Sequence, residues 1–246
     1  MQSDKLKALL DVGNARDLHI QQLCSRISRI YRHVSMRFEP GARMILDAVL
    51  LTVAEISSDG DAKLPVAILP EMRIATGDGI VLRNPTTNFE MWFTGNVDYG
   101  LCTYEEEEKY KDHVLNADLD DVRLLAKSSI FLIEGKRLQD KSLYDFMPEA
   151  TIQAAALCEV TGTKAVKFCL TDGREWIFSV FSNDDAGNRV CYQGNIFAIL
   201  EPSPDNEAAW KESVHRVVEL VYHWLVEDKD PLIDPLYVLK AGYARA

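Results

Sequence analysis

The sequence has 246 residues, enough for one large hydrophobic core, and 47% of them are hydrophobic, which is ordinary for a globular protein. No apolar run approaches the roughly 20 residues of a membrane-spanning helix, and the first residues lack the apolar segment of a secretory signal. The net charge of −11 disfavours indiscriminate binding to nucleic acid, because phosphate contacts require lysine and arginine.

The five cysteines are scattered along the chain, and no two of them have metal-ligand spacing. This pattern indicates reduced thiols. We therefore expect an intracellular protein, cytoplasmic or nuclear, that does not associate with a membrane.

The first 40 residues form a predicted N-terminal helical region, because leucine and isoleucine recur at helical spacing. This is also the most basic part of the chain. Its cations either face phosphates, or form a solvated surface or pair with acids elsewhere in the chain, and the second interpretation is favoured. They are Arg26, Arg29, Arg32, His33 and Arg37.

The sequence at 39–41 (Glu-Pro-Gly) breaks this region, and a second helix is predicted from Ala42 to about Ser57. Its apolar residues lie on almost every side, so we expect it to be buried. Glu55 is one of its few polar residues, at the end of the predicted helix.

Short strand-like runs separated by glycine and proline follow, with a predicted hairpin turn at 84–88. A strand is expected to start at Phe89 and lead to Asp98, with Trp92 packed in the core or half-buried. The charged segment at 104–112 is expected to be a solvated helix or loop inserted before the next strand.

The stretch 129–137 carries four apolar residues directly followed by Glu134-Gly135-Lys136. A short apolar run of this kind favours a buried strand. Side chains alternate along a strand, so Glu134 and Lys136 should project from the same face. Placing both charges at the end of a buried strand is costly without a partner. They therefore form either a structural ion pair or a catalytic site.

The remainder of the chain predicts a helix at 147–159 and a strand–turn–strand unit at 165–181. A further strand is expected at 189–200, and an amphipathic helix at 207–226. The last residues, 227–246, show no clear period and are treated as a tail.

No glycine-rich phosphate loop and no Gly-x-Ser-x-Gly motif occurs, which argues against Walker, Rossmann and α/β-hydrolase sites. An acid on one strand, Asp98, is instead followed by Glu134-x-Lys136 on the next, and we expect these two strands to be adjacent in the sheet. In order and spacing, these residues resemble the PD-(D/E)XK nuclease superfamily, which has the restriction-endonuclease-like fold. Val97 replaces the proline that often precedes the first acid, and the segment between the two strands is long.

The resemblance implies a single α/β core at 41–226, with a mixed central β-sheet flanked by helices. It implies a metal-dependent nuclease that hydrolyses DNA or RNA, in which Asp98 and Glu134 bind Mg²⁺ or Mn²⁺. Lys136 would position the attacking water, and Gln153 matches a glutamine that several branches place at the site.

Two points stay open. Glu55 is either a further metal ligand or a solvent-facing residue at its helix end. The chain itself is either an active nuclease, which the resemblance allows to be a homodimer, or an inactive nuclease-like fold that serves as an interaction or effector module. The acidic balance favours the module, and the intact acid–Glu-x-Lys set favours the enzyme.

Overall fold

The computed structural model describes residues 14–59, 64–75, 79–83, 87–104, 115, 131–136, 142–183, 189–226 and 240–241. Four α-helices lie within these residues: α1 (Asn14–His33), α2 (Glu39–Asp59), α3 (Met147–Thr161) and α4 (Glu207–Val226). The nine strands are β1 (Val66–Arg73), β2 (Ile80–Arg83), β3 (Glu90–Phe93), β4 (Asn96–Thr103), β5 (Phe131–Gly135), β6 (Ala165–Thr171), β7 (Glu175–Asn183), β8 (Arg189–Ala198) and β9 (Lys240–Ala241).

Seven strands form one mixed sheet in the order β1-β4-β5-β6-β7-β8-β9. Strands β5 and β6 are parallel, whereas the other neighbours are antiparallel. The parallel pair is joined through α3, because two parallel strands need a long crossover connection. The expected α/β architecture with a mixed central sheet and flanking helices is confirmed.

Each face of the sheet carries its own hydrophobic core. Helices α1, α2 and α4 pack on one face, and the fully buried Trp176 and Trp224 lie in that core. Helix α3 and the hairpin of β2 and β3 cover the other face. None of the described helices has the length and apolar character needed to cross a membrane.

Parts of the predicted N-terminal region and of the predicted tail are attached to the α/β core. Helix α1 contributes Leu23 and Ile27 to the same core as α2 and α4. Strand β9, within the predicted tail, pairs with β8. Residues 1–13, 227–239 and 242–246 lie outside the described residues, as does most of the predicted insertion after residue 104.

Two local predictions are wrong. Helix α2 begins at Glu39 rather than Ala42, because Pro40 fits the first turn of a helix, where its missing N–H is not needed. The strand expected from Phe89 to Asp98 is instead two strands. The first, β3, pairs with β2 outside the main sheet, and its Trp92 is 64% exposed rather than buried.

The predicted turn at 171–173 is confirmed, and it fixes the start of α2 against the sheet. Asp172 accepts hydrogen bonds from the backbone N–H groups of Arg174 and Glu175, at 2.9 and 2.7 Å. Gly173 has a φ of +82°, and a Cβ there would lie 2.5 Å from the carbonyl oxygen of Ala42. Glycine is therefore required at this position by both conformation and space.

Candidate active site

Two of the predicted site residues lie on neighbouring strands of the main sheet. Strands β4 and β5 are antiparallel, with Tyr99 opposite Ile133. Continuing this register places Asp98 directly opposite Glu134. Like charges in such a cross-strand pair are destabilising, so the arrangement needs compensating partners.

Asp98 is 8% exposed, and both of its carboxylate oxygens have partners. One oxygen, Oδ2, accepts a hydrogen bond of 2.6 Å from the backbone N–H of Gly135. The other, Oδ1, accepts a hydrogen bond from the guanidinium of Arg43 on α2. A Cβ at Gly135 would lie only 3.2 Å from Oδ2, so glycine here leaves room for the carboxylate.

Glu134 is also buried and binds both of the other predicted site residues. Its Oε1 accepts a hydrogen bond of 2.7 Å from Nζ of Lys136, as expected for side chains on the same face of a strand. Its Oε2 accepts a hydrogen bond of 2.8 Å from Nε2 of Gln153 on α3. The structure thus brings Asp98, Glu134, Lys136 and Gln153 together.

The environment of Asp98 favours its protonated form more than water does. Burial, together with the nearby charge of Glu134, raises the pKa of Asp98 from 3.8 to about 6, although the hydrogen bond from Gly135 and the charge of Arg43 oppose this shift. The two carboxylates therefore repel each other at neutral pH despite their partners.

Lys136 lies between two carboxylates, since its Nζ is also 2.8 Å from Oε2 of Glu149 on α3. Burial alone would lower the pKa of Lys136, but the hydrogen bonds to Glu134 and Glu149 outweigh it, and the net shift is upward. Lys136 consequently keeps its proton at neutral pH.

Sequence reasoning missed Arg43, which connects three acidic side chains. Besides Asp98, it contacts Glu39 at 3.1 Å and Glu71 at 2.7 Å. Glu71 has a φ of +50°, a left-handed conformation that is uncommon for residues other than glycine. The spacing of Glu39 and Arg43, four residues apart on a helix, is the sequence pattern that could have indicated this pair.

Glu55, proposed as a further metal ligand, does not join this group. It lies twelve residues after Arg43 on α2, about 18 Å along the helix. Its side chain is 51% exposed and lies 3.8 Å from His19 of α1. The solvent-facing alternative describes its position.

Glu149 is another site residue that the sequence analysis did not identify. It lies four residues before Gln153 on α3 and so on the same helical face. This spacing is visible in the sequence, but no sequence pattern distinguishes Glu149 from a surface residue. In the structure its side chain is 54% exposed.

Among the described residues, no group of three or more histidine, cysteine, aspartate or glutamate side chains is arranged to hold a metal ion. Asp98 and Glu134 supply the two opposed carboxylates of the site, and the carboxylates of Glu149 and Glu71 contact Lys136 and Arg43 at its edge. No protein-family model matches the chain, and a search of curated proteins finds no match.

Proposed function

We propose that the chain is a metal-dependent nuclease of the restriction-endonuclease-like fold, which hydrolyses phosphodiester bonds of DNA or RNA. The observation that carries this proposal is the buried pair of carboxylates, Asp98 and Glu134, on opposing positions of adjacent strands. Lys136 and Gln153 both bind the second carboxylate. A simple structural ion pair does not need a second acid beside it.

The order of elements supports the same resemblance. A core helix, α2, precedes the antiparallel strands β1, β4 and β5, and α3 follows the Glu-x-Lys strand before the parallel strand β6. Gln153 on α3 faces the site, as the resemblance implies for a glutamine on that helix.

The residues present suit Mg²⁺ or Mn²⁺. Both carboxylates supply hard oxygen donors, and Mg²⁺ is commonly held by only one or two protein carboxylates, with waters and substrate phosphates completing its coordination. The pKa of Asp98 is raised first by burial and then by the charge of Glu134, and a divalent cation bound between the two carboxylates would offset both effects. When bound, such an ion would polarise the phosphate and lower the pKa of a coordinated water.

Lys136 acts as a hydrogen-bond donor and a positive charge in this site, not as a general base. Its hydrogen bonds to Glu134 and Glu149 raise its pKa, so the ammonium form persists at neutral pH. It can hold the attacking water by hydrogen bonding and stabilise charge that develops on the phosphate. Gln153 is a positioning residue, since it acts by fixing the carboxylate of Glu134.

A second candidate is a non-catalytic interaction or effector module with the same fold. The observation that favours it is the Arg43–Asp98 contact, because a guanidinium already compensates one of the two carboxylates. Each carboxylate oxygen of Asp98 and Glu134 has a hydrogen-bond donor. A network satisfied in this way can be purely structural.

Calorimetric titration with Mg²⁺ and with Mn²⁺ separates the two candidates. We expect the wild-type protein to bind the ion and Glu134→Gln to lose that binding. Glu149→Gln is the matched control, because it removes a carboxylate that touches Lys136 without belonging to the opposed pair. Absence of binding in the wild type, or equal binding in all three proteins, would favour the non-catalytic module.

A further inference from the structure

The segment 18–38 differs in charge from the rest of the chain. It contains no aspartate or glutamate, whereas the chain has 38 acidic residues among 246, a density at which the segment would hold about three. The same segment carries four arginines and two histidines. Positive charge is therefore concentrated here in a protein whose net charge is −11.

Helix geometry directs these cations to solvent. Helix α1 buries Leu23, Ile27 and Ile30 against α2 and α4. The basic residues lie on the other side of the helix and in the segment that follows it, and all are exposed. We call them the basic face: Arg26, Arg29, Arg32, His33 and Arg37.

The basic face lacks compensating acids within the described residues. No described carboxylate lies within salt-bridge distance of Arg26, Arg32 or Arg37, and Nε of Arg29 donates to the carbonyl of Ser25 in its own helix at 3.3 Å.

Two cations on α4 form ion pairs instead. Lys211 and Arg216 contact glutamates four residues earlier, at 2.6 and 2.8 Å. The arginines of the basic face lack such pairs within the described residues.

The segment that ends the basic face leads directly into α2, the helix whose Arg43 contacts the candidate active site. Arg37 lies two residues before Glu39, whose carboxylate contacts Arg43, and Arg43 in turn contacts Asp98. Near the end of α1, burial raises the pKa of Tyr31 to about 12; the charge of Arg174 in the turn after β6 opposes this shift, whereas those of Glu201 and Asp172 add to it. The carbonyl of residue 171 at that turn accepts a hydrogen bond from the backbone N–H of Lys136, at 2.7 Å.

We propose that the basic face is the surface along which a nucleic-acid strand reaches the candidate active site, held through its phosphates. This inference rests on the proposed nuclease function and names how the substrate is held. Arg26 and His33 are separated by about 10 Å along the helix. This distance is close to the rise of three phosphates of one strand along the axis of a duplex, at roughly 3.4 Å per phosphate.

Such contacts would be independent of base sequence, because phosphate contacts position a nucleic acid without reading it. The acidic remainder of the protein would repel the substrate and so restrict it to this face.

The test is the salt dependence of oligonucleotide binding by the full chain, with EDTA present so that no metal-dependent cleavage occurs. The variant Arg26→Gln/Arg29→Gln/Arg32→Gln is compared with Lys164→Gln/Lys211→Gln/Arg216→Gln, which removes the same charge from two exposed positions and one half-exposed position elsewhere. Fluorescence anisotropy reports the affinity for labelled single- and double-stranded DNA between about 50 and 200 mM NaCl.

We expect the arginine variant to bind more weakly, with the slope of log Kd against log salt reduced by about 2 for a single strand and nearly 3 for a duplex. The control should keep the wild-type slope. Equal losses in both variants, or no loss in either, would overturn the inference. Sedimentation velocity adds a further outcome: if the arginine variant dissociates a dimer but binds DNA normally, the face contacts a second copy and the inference is wrong.

Cleavage by the same variants in Mg²⁺ distinguishes this inference from the proposed function. If the wild type cleaves no substrate and the arginine variant loses binding, the role of the basic face would be supported and the proposed nuclease function refuted. Wild-type cleavage by the arginine variant would support the nuclease and refute the role of the basic face.

Discussion

Replacing Asp98 with asparagine is expected to remove a pH dependence from the free energy of unfolding. Burial and the charge of Glu134 raise the pKa of Asp98 from 3.8 to about 6 in the folded protein. The folded state therefore binds this proton more tightly than the unfolded chain does. The resulting stabilisation is fully present below about pH 4 and is lost as the pH rises through about 6.

The size of the effect follows from the two pKa values. Each pKa unit corresponds to about 1.4 kcal/mol, so the full shift corresponds to about 3 kcal/mol, of which about 2 kcal/mol should be lost between pH 4 and pH 7, because the carboxyl of the unfolded chain is already partly ionised at pH 4. The Asp98 side chain is 10% exposed, so screening by solvent does little to reduce this value.

Urea denaturation of the wild type and Asp98→Asn, in EDTA and at several pH values from about 4 to 7.5, measures this difference. The stability of the wild type relative to the variant should fall by about 2 kcal/mol across the range. Asp205→Asn, at an exposed position, is the control and should show no comparable trend. A constant difference, or one that grows with pH, would refute the reasoning and mean that the Arg43 contact outweighs burial and Glu134.

Three further substitutions have expected outcomes of defined sign. Arg43→Gln should destabilise the protein by about 2 kcal/mol at neutral pH, because it leaves Asp98 buried without its cation. The same substitution should tighten Mg²⁺ binding in calorimetry, because the guanidinium no longer compensates the carboxylate; weaker metal binding would contradict this account. Gln153→Leu should cost about 1–3 kcal/mol in urea denaturation, since Oε2 of Glu134 loses its donor; an unchanged midpoint would mean that this hydrogen bond is not made. Gly173→Ala should cost more than Gly162→Ala, by about 1 kcal/mol or more, because both have positive φ but only a Cβ at 173 meets backbone atoms; equal losses would exclude the clash.

The strand positions of Asp98, Glu134 and Lys136 could be predicted because the period of a strand is short and local. Alternation alone places Glu134 and Lys136 on one face, and their contact in the structure agrees. The expectation that the Asp98 and Glu134 strands are adjacent is confirmed by their pairing.

The position of the helix α2 relative to the sheet could not be predicted in the same way. Apolar residues surround α2 on almost every side, so its pattern does not show which end approaches the strands. The sequence directed attention to Glu55 near one end, whereas Arg43 near the other end contacts Asp98.

The exposure of the hairpin of β2 and β3 could not be predicted from the sequence either. Trp92 lies in a run that is typical of a buried strand, but among the described residues β3 pairs with β2 alone, and this side chain is exposed to solvent. Pairing of that kind depends on long-range contacts rather than on local propensity.

The central claim is tested most directly by cleavage of labelled single- and double-stranded DNA and RNA in the presence of Mg²⁺ or Mn²⁺. The wild type is compared with Glu134→Gln and Lys136→Ala, each shown to be folded by circular dichroism. We predict cleavage of at least one substrate that requires the metal and disappears in both variants. Failure of the folded wild type to cleave any of the four substrates, or undiminished cleavage by the variants, would contradict the assignment of this site.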